Sequence, residues 1–158
     1  MHQGIRFDHV GITVEHLEPA VSFFESFGFE VEGRTFVEGE FIDAVTGIPG
    51  SRSEIVMLSL PGSPSGGGAT AIEVSSFVRP AHTTGTHAPM ANEVGLRSLA
   101  FEIEGLDAKL AALAADGYGL IGGVGEYEGA WRMAYVRGPE GIIVALTERV
   151  KDPSGSGG

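Results

Sequence analysis

The sequence predicts an α+β chain of two consecutive βαβββ modules forming an open curved sheet around a cavity. Three observations predict it. Residues 7–33, FDHVGITVEHLEPAVSFFESFGFEVEG, lie without a gap over residues 96–122, LRSLAFEIEGLDAKLAALAADGYGLIG, so that residue n of the first copy meets residue n + 89 of the second. The apolar positions match: Val10, Ile12 and Val14 fall on Leu99, Phe101 and Ile103, and Leu17, Val21 and Phe24 fall on Leu106, Leu110 and Leu113. Each copy also passes from a period of two to helical spacing and then closes on a glycine, Gly28 or Gly117, which is how a strand followed by a capped helix reads.

Taken in order, FDHVGITV alternates as a strand, with Val10, Ile12 and Val14 on one face and His9, Gly11 and Thr13 on the other. Residues 16–28 carry Leu17, Val21 and Phe24 at helical spacing. Strands are expected around 29–37, 54–60 and 69–77, with PGSPSGGG (61–68) a mobile turn between the last two. In the second copy LRSLAFEI is the strand and 105–117 the helix, and strands follow near 119–126, 130–137 and 141–148. GPEG at 138–141 matches no phosphate-binding loop and reads as a tight hairpin, with Pro at a turn position and Gly supplying positive φ. The modules are placed at 5–78 and 95–149, with a linker arm at 79–94 and a disordered tail at 150–158. RPAHTTGTHAPMANEVG has no period and reads as a crossing arm or a ligand-facing loop.

Composition bounds the function. The chain has 158 residues, 42% of them hydrophobic, and no cysteine, so neither a disulfide framework nor a thiolate metal site is expected. Its apolar runs are too short for a membrane span, the N-terminus MHQGIRFDHV has no signal-peptide pattern, and the expected location is cytoplasmic. A net charge of −11 with ten scattered Lys and Arg argues against nucleic acid as partner. It also disfavours strongly anionic ligands unless an arginine is focused locally.

A four-stranded unit with one helix covers only one face of its own sheet, so the other face borders a cavity. Alternation aims His9, Gly11, Thr13, Glu73, Ser75, Ser98, Ala100, Glu102, Tyr135, Arg137, Ala145 and Thr147 toward it. Ile72, Val74, Leu99, Phe101, Val144 and Leu146 make the helix-side core.

These residues bring a family into view. DHVGI at 8–12, AIEVSSF at 71–77, GLRSLAF at 95–101 and YVRGPEGIIVAL at 135–146 resemble the vicinal oxygen chelate superfamily. That group includes glyoxalase I, methylmalonyl-CoA epimerase, extradiol dioxygenases, fosfomycin-modifying enzymes and bleomycin-binding resistance proteins. The resemblance covers about residues 5–149 and implies homodimers. In its metal enzymes each copy gives one ligand from its first strand and one from its last. Carried over, the four positions are His9, Glu73, Ser98 and Ala145. Imidazole and carboxylate ligate divalent metals well, a serine hydroxyl poorly and an alanine methyl not at all. His82 and His87 lack a dedicated metal spacing, and His2 and His16 carry no functional reading.

Three readings follow. The first is a protein that binds a small organic molecule in the inter-module cavity with no cofactor. Phe41, Tyr127, Trp131 and Tyr135 would offer aromatic surface, Ser98 and Glu102 polar contacts, and Arg97, Arg132 or Arg137 a bidentate hold on a carboxylate. The second is a lyase, isomerase or epimerase of the glyoxalase I type using Zn²⁺, Ni²⁺, Fe²⁺ or Co²⁺ on His9 and Glu73. The third is a metal-free acid–base isomerase in which His9 and Glu73, on neighbouring strands, pass a proton next to a carbonyl. Binding ranks ahead of catalysis because Ser98 and Ala145 stand where two ligands would be.

Overall fold

Repeated spacing produces repeated topology. A computed structural model describes Gly4 and residues 7–62 and 70–150, and divides the chain into two units at Thr84/Gly85. The first unit carries β1 (Val10–Thr13), α1 (Leu17–Glu25), β2 (Glu30–Glu38), α2 (Glu40–Thr46), β3 (Arg52–Leu60) and β4 (Thr70–Arg79). The second carries β5 (Ser98–Glu102), α3 (Leu106–Ala115), β6 (Gly125–Tyr127), β7 (Trp131–Arg137) and β8 (Ile143–Arg149). Each sheet has four strands and is open, in the orders β1-β4-β3-β2 and β5-β8-β7-β6. In both, the first strand runs parallel to the last and the remaining pairs are antiparallel.

The helices close alike. Gly28 (φ 97°) and Gly117 (φ 93°) take the left-handed conformation after α1 and α3. The next amide then reaches back into the last turn, Phe29 N–H to Phe24 O at 3.3 Å and Tyr118 N–H to Leu113 O at 2.9 Å. A residue with a Cβ would resist that φ, so glycine is chosen for its backbone freedom. In unit one, α1 lays Leu17, Ala20, Val21 and Phe24 on the β3 and β4 face, where Val56, Leu58, Ile72 and Val74 are buried. In unit two, Leu106 and Leu113 of α3 share the buried layer with Ala134, Val136, Val144 and Leu146. The helix-side core expected from alternation is therefore present, although Leu99 and Phe101 on edge strand β5 are only half-buried.

Three elements differ from expectation. The strand expected at 119–126 is broken: Leu120 makes one bridge to Val136, and pairing resumes only at β6. Gly122 and Gly123 lie between, with no side chain to pack on a sheet face and the largest backbone entropy to lose. Helix α2 was not foreseen: Phe41, Ile42 and Val45 have helical spacing, but the helix is only seven residues long and buries none of them. It is held instead by Asp43, whose carboxylate accepts from Gly50 N–H at 2.9 Å and Ser51 N–H at 3.3 Å. At GPEG both Glu140 (φ 55°) and Gly141 (φ 84°) are left-handed, where the sequence suggested glycine alone. The expected turn at 61–68 falls largely, and the tail beyond Val150 wholly, outside the described residues.

The start of α3 is capped from another strand. Gly105 has no side chain to offer, and Glu148 Oε2 of β8 accepts from the amides of Gly105 (2.6 Å) and Leu106 (3.0 Å). Arg132 reaches the other Glu148 oxygen at 3.3 Å and grips Asp107 at 2.8 and 3.2 Å. The Leu106 amide holds the Glu148 carboxyl below its ordinary value of 4.5, and the Arg132 bond does the same for Asp107 from 3.8. A carboxyl lowered on folding stabilises the fold above its unfolded pKa, and that contribution disappears as pH falls through the folded one. Denaturation scans should show unit two keeping this increment above about pH 5 and losing it on acidification. Glu148→Gln should lower the midpoint at neutral pH and flatten the acid limb; an unchanged limb would count against the cap.

Candidate functional site

On the uncovered face of the first sheet, alternation and the parallel β1–β4 pairing act together. Gly11 stands beside Glu73, and Met57 flanks Glu73 on the other side. His9 precedes β1, and its Nε2 lies 3.6 Å from Glu73 Oε2. On the opposite ring nitrogen, His9 Nδ1 donates to Asp8 Oδ2 at 2.6 Å. His9 and Glu73 are each about one-third exposed, and a Cβ built on Gly11 would meet nothing within 4 Å, so the pair is open above that glycine. Asp8, His9 and Glu73 thus form a carboxylate–imidazole–carboxylate row. Such a row can relay a proton when one carboxylate orients the ring and the other exchanges a proton with it. Sequence reasoning missed Asp8, although it sits in the quoted DHVGI.

The second unit repeats the geometry without the chemistry. Ala100, the repeat equivalent of Gly11, stands beside Ala145, and Tyr135 takes the flank that Met57 holds in the first copy. Ala145 is thus the register counterpart of Glu73, and Ser98 pairs with Ile143 at the strand start. His9 and Glu73 are competent metal donors, but the serine hydroxyl is weak and the methyl has no lone pair. Among the described residues, no group of three or more His, Asp or Glu is arranged to hold an ion. Two good donors fall short of the three or four protein ligands that ordinarily hold a transition metal, so the donor set does not fit a resident one.

What the second sheet has instead is an open recess of about 590 Å³, lined by Gly125, Glu126, Tyr127, Trp131, Met133 and Thr147. Antiparallel register builds it. Tyr127 faces Trp131, Gly125 faces Met133, and Met133 faces Thr147, so one sheet face gathers two aromatic rings, a thioether and a hydroxyl. Glu126, between Gly125 and Tyr127 at the recess, pairs in register with Arg132 and adds to the field on that guanidinium. The Arg149 guanidinium lies over the Trp131 ring, 4.5 Å from its centroid.

The remaining candidates divide. Thr147 lines the recess, and Glu102 is exposed beside it on β5. Tyr135 and Ser98 lie further along the same face. Phe41 is 80% exposed on α2 of the first unit. Arg132 is committed to Asp107 and Glu148 on the helix side, and Arg97 to Glu93 at 2.8 Å. Arg137 is drawn into the arm: Nη1 donates to Pro89 O at 2.6 Å and Gly141 O at 3.2 Å. Arg132 and Arg137 are reached by partners distant in the sequence, whereas Glu93 stands four residues before Arg97. His82, in the arm, lies 3.7 Å from Glu15.

Such a site defines a class: paired βαβββ modules with polar and aromatic groups on the uncovered sheet faces. Residues 8–135 match the family model of the Glyoxalase/Bleomycin resistance protein/Dioxygenase superfamily. The chain also resembles a crystallised glyoxalase family protein from Bacillus cereus at 36% identity, with 95% of this chain and 97% of that one covered and a TM-score of 0.86. It belongs to this superfamily. At fold level it is similar to a fosfomycin resistance protein from Listeria monocytogenes, solved with Mn(II) and a dihydroxypropylphosphonic acid (15% identity, 92% and 90% covered, TM-score 0.57). An antibiotic binding protein from Streptomyces sp. CB03234 shares the fold similarly (18% identity, 94% and 99% covered, TM-score 0.57). No curated protein matches the chain in sequence.

Proposed function

We propose that this chain binds a small organic molecule, with the recess on the second sheet as its recognition surface. The observation that carries the reading is the gathering of Trp131, Tyr127, Met133 and Thr147 around about 590 Å³ of open volume. Two aromatic rings and a thioether offer dispersion and stacking to a flat apolar group, about 1–3 kcal/mol for each stacked ring. Thr147 supplies orientation through its hydroxyl. That volume falls in the range occupied by small-molecule sites. A thermal-shift screen of planar polycyclic compounds tests it. Ligands at about 100 times their Kd should stabilise the protein by about 2.7 kcal/mol, and Trp131→Ala should abolish most of that gain. Hits indifferent to Trp131→Ala would sink the reading.

A second reading rests on a separate observation, the Asp8–His9–Glu73 row. In it, Glu73 removes a proton from carbon next to a substrate carbonyl and His9 returns one, with Asp8 holding the imidazole by Nδ1. Deuterium exchange at such a carbon should fall by about 10²–10⁴-fold in Glu73→Gln and be insensitive to chelators. Exchange that survives Glu73→Gln, or that chelators remove, rules against it.

A further inference from the structure

In an acid-rich chain, an arginine without a carboxylate stands out. There are 21 Asp and Glu against 10 Lys and Arg, so a guanidinium near the surface readily finds an acid. Arg34, Arg52, Arg79, Arg97 and Arg132 all do. Arg137 is held by backbone carbonyls. Arg149 alone among the described arginines is held by an aromatic ring, that of Trp131, with no ion pair to any described residue. The contrast with Arg52 is direct: it too lies over a ring, Phe36 at 4.1 Å, but Glu38 takes its hydrogen-bonding edge at 3.0 Å. On Arg149 no described carboxylate takes that edge.

Its position follows from register. Arg149 pairs with Trp131 at the end of β8, two residues beyond Thr147, so it stands on the face that carries the recess. Stacking fixes the guanidinium plane against the indole while leaving its N–H fork free for a planar oxyanion. A carboxylate in the plane of an aromatic ring suits both features, since the ring stacks and the carboxylate takes the fork bidentately. The charge of the whole chain sharpens the choice. A net −11 repels multiply charged anions, and Glu102 stands exposed beside Thr147, so one negative charge placed on the fork is favoured over two.

We propose that the Trp131–Arg149 pair makes the recess selective for flat aromatic monocarboxylates. This rests on the binding function proposed above and names its ligand class. The test uses the single tryptophan of the chain, whose indole N–H gives one resonance to follow in a nitrogen-15-labelled sample. The probes are 2-naphthoate, the neutral 2-naphthamide and the cationic 2-naphthylmethylamine. Naphthoate should move that resonance saturably and bind about ten-fold or more tightly than the amide. In Arg149→Gln the acid should lose about ten-fold more affinity than the amide, and the amide titration reports that the recess still folds. Equal affinity of acid and amide, or preference for the amine, overturns the carboxylate assignment while the recess remains a binding site. If none of the three moves the indole resonance, the recess reading fails and the carboxylate assignment with it.

Discussion

Phe24→Ala is expected to destabilise the first unit by about 3–5 kcal/mol, the range for a large aromatic removed from a closed core. Phe24 is fully buried on α1, and its ring meets Phe23 at 5.2 Å and Phe29 at 5.8 Å, both edge-to-face. Those neighbours sit on one short helix and the strand entry after it, so they have little freedom to fill the void. The loss is a large part of the roughly 5–15 kcal/mol that holds an ordinary domain together. Should the alanine variant fail to fold, Phe24→Leu should lose a smaller amount in the same direction. Phe41→Ala provides the contrast, because a ring 80% exposed should change stability by no more than about 0.5 kcal/mol. Urea denaturation checks all three, and equal losses at positions 24 and 41 would contradict this account of the core.

The second large effect falls at Gly141. A Cβ there would lie 2.5 Å from the carbonyl oxygen of His87, a backbone atom, and φ is 84°. Gly141→Ala therefore meets two penalties: about 1–2 kcal/mol for a left-handed backbone and about 1–3 kcal/mol for overlap that only a backbone shift can relieve. Gly129→Ala separates them. Gly129 is also left-handed (φ 63°), but a Cβ there meets nothing within 4 Å, so it reports the backbone penalty alone. The excess at Gly141 measures how closely the arm at 87–90 lies on the β7–β8 turn, where Arg137 also holds Pro89. If both variants cost the same, the arm does not rest there.

Much of this was legible in the chain. Alternation through Val10–Thr13 and its repeat at Leu99–Phe101 gave the strands, and the matched glycines gave the helix ends. The family resemblance named Ala145 as the counterpart of Glu73, and the β5–β8 register agrees, pairing Ala145 with Ala100 as Glu73 pairs with Gly11. His9 and Glu73 were expected to face each other because first and last strands are neighbours, and their side chains do meet at 3.6 Å. Arg149 was within reach of the same logic, since the alternation that aims Ala145 and Thr147 at the uncovered face continues to it. Helix α2 was harder to read, because seven residues give about two turns and too few positions for a period to stand out.

What the sequence determined by itself was the fold class: two βαβββ modules, the adjacency of each module's first and last strands, and which side chains face away from the helices. Periods of two and 3.6 are local properties, and a duplicated pattern repeats whatever local structure it encodes. What only the tertiary structure decided was which of those side chains remain available. Asp107 takes Arg132 from 25 residues away, and Pro89 takes Arg137 from 48 away. Among the described residues, Arg149 meets the face of Trp131 and no carboxylate. Hydrogen-bonding capacity is finite and is claimed by whatever partner folding brings within about 3 Å, so the free guanidinium emerges only once the chain has closed on itself.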